Sequence, residues 1–238
     1  MLKTVAQAQP RRGSAAAGAP LVLEVAGPAG AGKTTLAQAL CRRDQRFSIG
    51  VPLRRASYPP FAASTLRLFL PVYLRRYRHT RWFTREELRA MIYLQAWLQA
   101  LSRRPPQQGA VAILDHGPIY RLAWLQEFGP EMVRSRRFEQ WSAAMLAQWS
   151  ARLGLVLWLD APDAVLMERI EARQRWHAVK GKASREVEQF LGRYRASYDR
   201  VLDRLTASGG PAVLRFDTQR VSLDQIVSSV LESRFLAS

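Results

Sequence analysis

Short apolar runs alternate along the chain with longer segments whose apolar residues recur at helical spacing. The apolar runs predict strands at residues 21–26, 47–51, 110–115, 155–160 and 212–216. The helical segments lie at residues 33–43, 61–77, 84–102, 119–127, 131–153, 164–175, 184–205 and 222–235. Apolar strands separated by helices are typical of a parallel sheet covered by helices on both faces. The pattern therefore predicts an α/β protein with a three-layer, doubly wound sheet.

Polar or flexible residues stand where three of these strands end. Gly27, Asp115 and Asp160 each occupy the carboxyl end of a predicted strand. Ligands of doubly wound sheets bind outside the carboxyl ends of the strands. We therefore expect the functional site at this edge of the sheet.

The segment after the first strand is rich in glycine and ends in Lys33 and Thr34. It reads Gly27-Pro28-Ala29-Gly30-Ala31-Gly32-Lys33-Thr34, which fits G-x-x-x-x-G-K-[ST] without a gap. Glycines let successive backbone N–H groups turn toward one anion, and the helix N-terminus adds partial positive charge. We expect Lys33 to reach the β- and γ-phosphates and the Thr34 hydroxyl to bind Mg²⁺, with Thr35 as a further contact. The sequence thus predicts that this phosphate loop, residues 27–34, binds a nucleoside triphosphate such as ATP with Mg²⁺.

Asp115 and His116 follow the strand predicted at residues 110–115. A carboxylate at this place in phosphate-loop enzymes holds Mg²⁺, often through water, and it can also cap the next helix. Both roles of Asp115 can hold at once. His116 has two interpretations, a contact to the phosphoryl acceptor or a structural, hydrogen-bonded histidine.

A basic segment begins in the helix predicted at residues 164–175. Arg169 and Arg173 stand four residues apart, which places them on one face of that helix. The cationic residues that follow are Arg175, His177, Lys180 and Lys182. Such a segment can close over a phosphoryl group and stabilise its charge during transfer, or it can be a solvated helix end. The phosphate loop upstream favours a lid at residues 169–184, with Arg169 and Arg173 in catalytic roles beside Lys33 and Asp115.

Residues 56–104 lie between the second and third strands and form the predicted helical, acceptor-binding side. Aromatic residues recur in this segment: Tyr58, Phe61, Tyr73, Tyr77, Trp82, Phe83, Tyr93 and Trp97. They can stack on a base or line an apolar pocket, but at helical spacing aromatic residues are more often part of the core. Thr84 and Glu87 form a capping-box pattern that sets the start of the second helix in this segment.

Composition limits the partners and the location. The net charge of +17 attracts anions, but no recognisable nucleic-acid-binding module accompanies it, which weighs against nucleic acid as a partner. No apolar run approaches the roughly 20 residues of a membrane-spanning helix. The single cysteine, Cys41, cannot form an internal disulfide, so we expect a cytoplasmic protein. Residues 1–20 lack the apolar core of a secretory signal and are predicted to be a flexible tail ahead of one domain at 21–238.

Three motifs give the chain a family resemblance. GPAGAGKTT at 27–35, LDHGP at 114–118 and LDAPDAVLMERIEARQR at 159–175 resemble the P-loop nucleoside and nucleotide kinases, particularly the thymidylate-kinase and deoxynucleoside-kinase group. The resemblance implies the P-loop NTPase fold with a five-stranded parallel sheet and transfer of the γ-phosphoryl group of ATP. It also implies a lid with an R-x-x-x-R pattern, which Arg169 and Arg173 match. Because thymidylate-kinase-like proteins are often dimers, a homodimer is one assembly to expect.

The acceptor side departs from this family. Asp115-His116 stands where thymidylate kinases usually carry Asp-Arg and deoxynucleoside kinases Glu-Arg-Ser. Residues 51–55 contain no carboxylate, although deoxynucleoside kinases usually carry a catalytic Glu in this region. An acceptor hydroxyl therefore has no base of the family type, whereas Arg54 and Arg55 can hold an acceptor anion.

The sequence as a whole favours a small-molecule kinase that uses ATP and Mg²⁺ to phosphorylate a nucleoside, a nucleotide or a similar metabolite. One alternative is a regulatory NTPase that uses the nucleotide as a switch. Another is a kinase acting on nucleic-acid ends, which the positive charge favours and the lack of a nucleic-acid module disfavours.

Overall fold

The fold is a five-stranded, fully parallel sheet in the order β2-β3-β1-β4-β5. The computed structural model describes residues 21–53, 58–103, 109–173, 178–207 and 209–233. The strands are β1 (Leu21–Ala26), β2 (Phe47–Ile49), β3 (Val111–Leu114), β4 (Leu153–Asp160) and β5 (Ala212–Asp217). The helices are α1 (Lys33–Arg43), α2 (Tyr58–Val72), α3 (Arg85–Arg103), α4 (Pro118–Phe128), α5 (Arg136–Ser150), α6 (Asp163–Glu171), α7 (Ser184–Thr206) and α8 (Leu223–Leu231). The predicted α/β class and doubly wound parallel sheet are confirmed.

The sheet has helices on both faces, because successive residues of each strand point to opposite sides. In β1, Val22 and Ala26 join one buried cluster, in which residues of α3, α4, α5 and α7 pack against the sheet. Leu23 and Val25 join a second cluster on the other face, with residues of α1, α6 and α8. β1 pairs with β3 on one side and β4 on the other, so the direction of winding changes at β1. The carboxyl end of β1 is therefore the place where this architecture binds ligands.

The capping box predicted at Thr84 and Glu87 is confirmed. The backbone N–H of Thr84 donates to Oε2 of Glu87 at 2.7 Å, and the N–H of Glu87 donates to Oγ1 of Thr84 at 3.2 Å. Glu87 also receives two hydrogen bonds from Arg81, each 2.8 Å long. The start of α3, in the predicted acceptor-binding segment, is therefore fixed by side chains on both sides of the cap.

Four predicted helices have bounds that differ by more than two residues in the structure, and the one predicted at 222–235 is α8, which ends at Leu231. The prediction of a single helix at 131–153 is wrong. Residues Glu131–Arg134 form a short 3-10 turn, and α5 begins after it. Ser135 separates the two, because its hydroxyl caps α5 by accepting from the N–H of Phe138. The helix predicted at 61–77 begins earlier, as α2, and after Pro71 continues as a π-helical turn at Tyr73–Tyr77. The helix predicted at 164–175 ends at Glu171. No described helix is both long and apolar enough to cross a membrane.

Candidate nucleotide-binding site

The phosphate loop joins β1 to α1 at the carboxyl edge of the sheet. Gly27 has φ +140° and lies so close to β4 that a Cβ there would stand 2.0 Å from the carbonyl oxygen of Leu159. Gly32 has φ +91° at the position that caps the N-terminus of α1. Both conformations favour glycine, which explains the composition of the loop in terms of space and backbone geometry. The N-terminus of α1 thus opens toward the loop and provides the anion-binding end of a helix.

The ammonium group of Lys33 lies inside this loop. Nζ donates hydrogen bonds to the carbonyl oxygens of Gly27 and Pro28, both at 2.8 Å. Burial lowers the pKa of Lys33 to about 8, with a further lowering by the positive charge of Arg173, while Asp115 acts in the opposite direction. Lys33 is thus a cation held among phosphate-loop carbonyls with Arg173 within electrostatic range.

Thr34 and Asp115, the two predicted Mg²⁺ ligands, lie together. Thr34 Oγ1 donates to Asp115 Oδ2 at 3.2 Å, which joins the start of α1 to the end of β3. The pKa of Asp115 is lowered, chiefly by its hydrogen bond to His116, and also by Thr34 and Lys33, although burial opposes them. A hydroxyl beside an ionised carboxylate is an oxygen donor set suited to Mg²⁺, which takes one or two carboxylates plus phosphate oxygens and water. No group of three or more His, Cys, Asp or Glu side chains within the described ranges could hold a metal by itself.

His116 contacts the carboxylate that precedes it. Its Nδ1 lies 3.5 Å from Oδ1 of Asp115, and its ring packs edge-on against Tyr120 with centroids 4.5 Å apart. The side chain is half exposed. These contacts orient Asp115, and an acceptor contact by His116 stays a prediction.

Arg169 joins α6 to the segment after β5. Its Nη1 donates to Thr218 Oγ1 at 2.8 Å, and its Nη2 donates to the carbonyl oxygen of Thr218 at 3.0 Å. A longer contact of 3.5 Å reaches the carbonyl oxygen of Gly30 in the phosphate loop. The guanidinium of Arg169 is therefore fixed by three groups from two different segments.

Arg173 does not share a helix face with Arg169 in the way the spacing predicts, because α6 ends at Glu171 and Arg173 follows the helix cap. Both arginines nevertheless border one cavity of about 400 Å³. The cavity lining comes from the phosphate loop, α1, β4, α6 and the segment around α8, and consists of Gly30, Ala31, Gly32, Thr35, Leu36, Leu159, Arg169, Ala172, Arg173, Thr218, Val221, Leu223 and Ile226. This volume lies within the roughly 300–1,000 Å³ of small-molecule sites.

The side of the cavity formed by Thr218, Val221, Leu223 and Ile226 is absent from the sequence prediction. One signal for it exists, since Thr218 directly follows β5 at the carboxyl edge of the sheet. The apolar side chains among these residues look like ordinary core positions in sequence. Because α8 packs beside α1, its residues Leu223 and Ile226 line the cavity next to the phosphate loop.

Asp160, which also ends a strand, has a structural partner. Arg195 of α7 donates to both carboxylate oxygens of Asp160, at 2.9 and 3.0 Å, and to Oδ1 of Asp163 at 2.5 Å. This ion pair attaches the start of α6 to α7 and leaves both carboxylates engaged.

The predicted lid folds back on itself where it is described. Lys180 Nζ donates to the carbonyl oxygen of Arg173, and the N–H of Gly181 donates to Oε1 of Glu171 at 2.7 Å. Arg175 and His177 lie outside the described residues, as do the predicted acceptor contacts Arg54 and Arg55. The predicted roles of these four residues therefore stay predictions.

A buried carboxylate supports the start of α4 from behind. Glu24 of β1 is fully buried, and its two oxygens accept the backbone N–H groups of Ile119 and Tyr120, both at 3.0 Å. Gly117 leaves room for this carboxylate, because a Cβ there would lie 2.6 Å from Glu24 Cδ. Burial raises the pKa of Glu24 to about 8, while these N–H groups and Arg121 act in the opposite direction. Sequence periodicity gives no signal for this role within an apolar strand.

Comparison with known proteins identifies the domain. Residues 22–201 match the family described as an AAA domain. The chain belongs to this AAA-domain family. No curated protein has a significant sequence match to it.

Two solved structures show the same fold as this AAA domain. Deoxyadenosine kinase from M. mycoides with bound dATP is 14% identical, with a TM-score of 0.51 over 90% of this chain and 100% of that chain. Thymidylate kinase from Candida albicans is 16% identical, with a TM-score of 0.51 over 90% of each chain. The resemblance to P-loop nucleoside and nucleotide kinases that the motifs predict is thus confirmed in the fold.

Proposed function

We propose that the protein is an ATP- and Mg²⁺-dependent phosphotransferase that moves the γ-phosphoryl group to a nucleoside, a nucleotide or a similar small metabolite. One observation carries the proposal, namely that the phosphate loop borders one cavity together with Arg169 and Arg173. Lys33 of the same loop lies in electrostatic range of Arg173 and of Asp115, the residue that pairs with Thr34. A regulatory nucleotide switch would use the same loop and metal site and can use an arginine as well, so acceptor-dependent turnover is what separates the two functions. The fold shared with two kinases is in keeping with the proposal.

Each residue of the site has a part in the proposed reaction. The N–H groups of the phosphate loop and the Lys33 ammonium bind the β- and γ-phosphates. The bond between the γ-phosphorus and the β-phosphate bridging oxygen breaks, a bond to an acceptor oxygen forms, and ADP leaves; a hydroxyl acceptor releases its proton to solvent. Arg173, which is electrostatically coupled to Lys33, stabilises the charge on the transferring group.

Thr34 and Asp115 would hold Mg²⁺ at the phosphates. The bound ion supplies neutralisation of the charge on the β- and γ-oxygens. Asp115 is suited to this role because its lowered pKa keeps it ionised, and because Thr34 places a second oxygen beside it. Arg169, held by Thr218, fixes the wall of the cavity in which we place the nucleoside part of ATP.

A turnover assay tests the proposal directly. Purified protein is incubated with ATP, Mg²⁺ and a panel of nucleosides and nucleotides, and ADP release is measured. We expect at least one acceptor to raise ADP release well above background and the Lys33→Ala variant to abolish that increase. Tight ATP binding without acceptor-dependent release for any compound would contradict the kinase proposal. Slow acceptor-independent hydrolysis with a nucleotide-dependent change of conformation would instead favour a switch.

Finer features belong to the same proposal. Residues 56–104 form the acceptor-binding side, residues 169–184 form the lid, and the enzyme belongs to the thymidylate-kinase-like group. The single cysteine, Cys41, favours the cytoplasm as its location. A homodimer stays a prediction that sedimentation of the full chain can test.

A further inference from the structure

Helix α2 presents apolar side chains to solvent as well as to the core. Phe69 faces the core and is fully buried, whereas Leu66, Leu70 and Leu74 are 43, 41 and 57% exposed. These three leucines stand four residues apart, so they form one row along the outer side of the helix, which we call the leucine stripe. A surface helix normally directs its apolar face to the core and a polar face to water. Within the described ranges only one other large apolar side chain, Ile49, is as exposed.

The inner side of α2 holds the helix in place. The ring of Phe69 packs against Phe83, Phe138 and Trp141, with centroid separations between 5.6 and 6.0 Å. These rings belong to the segment before α3 and to α5. The leucine stripe is therefore carried by an anchored helix, and no rearrangement is needed to expose it.

Arginines accompany the leucine stripe, and acidic residues do not. Arg67 follows Leu66 directly, Arg75 and Arg76 follow Leu74, and all three arginines are exposed. None of the three takes part in an ion pair of the described residues. Residues 45–85 contain nine arginines and no Asp or Glu, so no neighbour in sequence offsets this charge. An apolar row beside basic side chains is typical of helices that lie in the interface of an anionic membrane.

A second cavity, of about 360 Å³, lies between α2 and α5. Arg67 and Arg75 of α2 and Arg137 of α5 line it together with the apolar side chains of Leu68 and Pro71. Among the described residues that line it, none is Asp or Glu, and none lines the cavity at the phosphate loop. Guanidinium groups bind phosphate with matching geometry. The cavity thus suits the phosphate of a lipid headgroup, beside a stripe that can contact the acyl chains.

We propose that α2 and the π-helical turn at Tyr73–Tyr77 form a docking surface for an anionic lipid bilayer. The helix lies in the plane of the interface, where Arg67, Arg75 and Arg76 bind lipid phosphates. The leucine stripe enters the boundary between headgroups and acyl chains, to a depth of about 5–10 Å. Anionic lipids give a cytoplasmic leaflet a negative surface potential, which attracts a protein with a net charge of +17. This inference does not depend on the proposed kinase function.

A second copy of the chain fits this surface less well. In a two-fold symmetric dimer the same patch occurs on both partners. A dimer packed through α2 would bring Arg67, Arg75 and Arg76 of one copy toward the same arginines of the other, and α2 contains no acidic residue to offset them. An anionic bilayer offsets the charge and covers the leucines at the same time.

Co-sedimentation of the full-length protein with vesicles tests the proposal. Vesicles of phosphatidylcholine alone are compared with vesicles that also contain about 30% phosphatidylserine. The variants are L66Q/L70Q/L74Q, which keeps good helix formers while removing the stripe, and R67Q/R75Q/R76Q. The control I49T removes an exposed apolar side chain elsewhere, and the control R42Q/R43Q/R204Q removes three exposed arginines from α1 and α7. Thermal unfolding checks that each variant folds.

We expect wild type to bind the anionic vesicles and not the neutral ones, with binding that weakens as salt rises. Each triple variant of α2 should raise the lipid concentration for half-maximal binding about tenfold or more, because apolar burial and phosphate contacts both contribute. Both controls should stay near wild type. R42Q/R43Q/R204Q lowers the net charge by the same amount as R67Q/R75Q/R76Q, so the two variants separate the local arginines from the total charge.

Absence of binding to anionic vesicles would overturn the proposal, and so would equal binding of wild type and L66Q/L70Q/L74Q. An equal loss in R42Q/R43Q/R204Q would assign the binding to total charge and overturn it too. Sedimentation velocity without lipid tests the alternative of a second copy. A wild-type dimer that L66Q/L70Q/L74Q converts to a monomer, without vesicle binding, would assign the stripe to that copy.

A labelled variant decides the question if a triple variant does not fold. An environment-sensitive fluorophore is attached to L70C in a C41A background, and to D203C, at an exposed position of α7, as the matched control. Emission that rises with anionic vesicles at the first position and not at the second would support the proposal. An equal response at both positions, or none, would overturn it.

Discussion

Thr34 Oγ1 and Asp115 Oδ2 lie 3.2 Å apart, although the two residues are separated by 81 positions in the chain. Their contact joins the N-terminus of α1 to the carboxyl end of β3. Neighbouring parallel strands end at the same edge of the sheet, so a hydroxyl after β1 and a carboxylate after β3 are brought together by the topology itself. The contact defines where Mg²⁺ would bind if the proposed function is correct.

The first prediction concerns this pair. Asp115→Asn keeps the shape of the side chain but removes its charge, so it should lower kcat/KM for ATP on the order of 100-fold and raise the Mg²⁺ concentration needed for half-maximal activity. Thr34→Val should shift the Mg²⁺ dependence in the same direction. Magnesium titrations of ADP release measure both effects. Asp203→Asn, at an exposed position of α7, serves as the matched control, and an unchanged Mg²⁺ dependence in Asp115→Asn would contradict the assignment.

The two arginines at the cavity should have separable effects. Arg169 is fixed by two hydrogen bonds to Thr218, so Arg169→Lys, which cannot make both, should raise the KM for ATP about tenfold with a smaller change in kcat. Arg173 acts near Lys33, so Arg173→Gln should mainly lower kcat. Steady-state kinetics with ATP as the varied substrate separate the two. Identical effects of both substitutions would refute this division of roles.

The donor half of the site was accessible from sequence because its residues are local. The phosphate loop lies within one continuous segment, between a strand and a helix whose bounds are confirmed as Leu21–Ala26 and Lys33–Arg43. Asp115 could be placed because a single polar residue ends an apolar strand. The parallel sheet could be expected because apolar strands and helical segments alternate along the chain.

Other features depend on contacts between distant segments. The guanidinium of Arg121 in α4 packs against the rings of Tyr93 and Trp97, which belong to α3. Thr218 is part of the site because its hydroxyl accepts a hydrogen bond from Arg169. The α6 helix ends at Glu171, before Arg173, although good helix formers follow it in the sequence. None of these relationships leaves a periodic pattern in the sequence.

Glu24 should make the stability of the protein depend on pH. Its pKa is raised from 4.5 to about 8 by burial, so between these values the folded protein holds a proton that the unfolded chain has released. The stabilisation is complete below pH 4.5 and is lost as the pH rises through 8. Urea unfolding should therefore give a free energy that falls with rising pH, by at most about 1.4 kcal/mol per unit from this group.

Two variants isolate the contribution of Glu24. Glu24→Gln should flatten the pH dependence across this window, because an amide does not titrate, although it loses one of the two acceptors for the N–H groups of α4. Glu188→Gln, at an exposed position of α7, should keep the dependence of the wild type. If the free energy of unfolding falls with pH equally steeply in Glu24→Gln and in wild type, a group other than Glu24 causes the pH dependence.

Lys33 should take up protons when ATP binds. Its pKa is lowered to about 8 by burial and by Arg173, so at pH 8 about half of the molecules carry the neutral amine before binding. Phosphate oxygens beside Nζ favour the ammonium form and raise this pKa, so each ATP bound at pH 8 should bring about half a proton with it. Calorimetry in buffers with different ionisation enthalpies measures this uptake. The proton uptake should decline toward pH 6.5, where Lys33 is already protonated. It should disappear in the Lys33→Met variant, measured at ATP concentrations that saturate this variant despite its weaker binding. Proton release at pH 8 would contradict a contact between Lys33 and the phosphates.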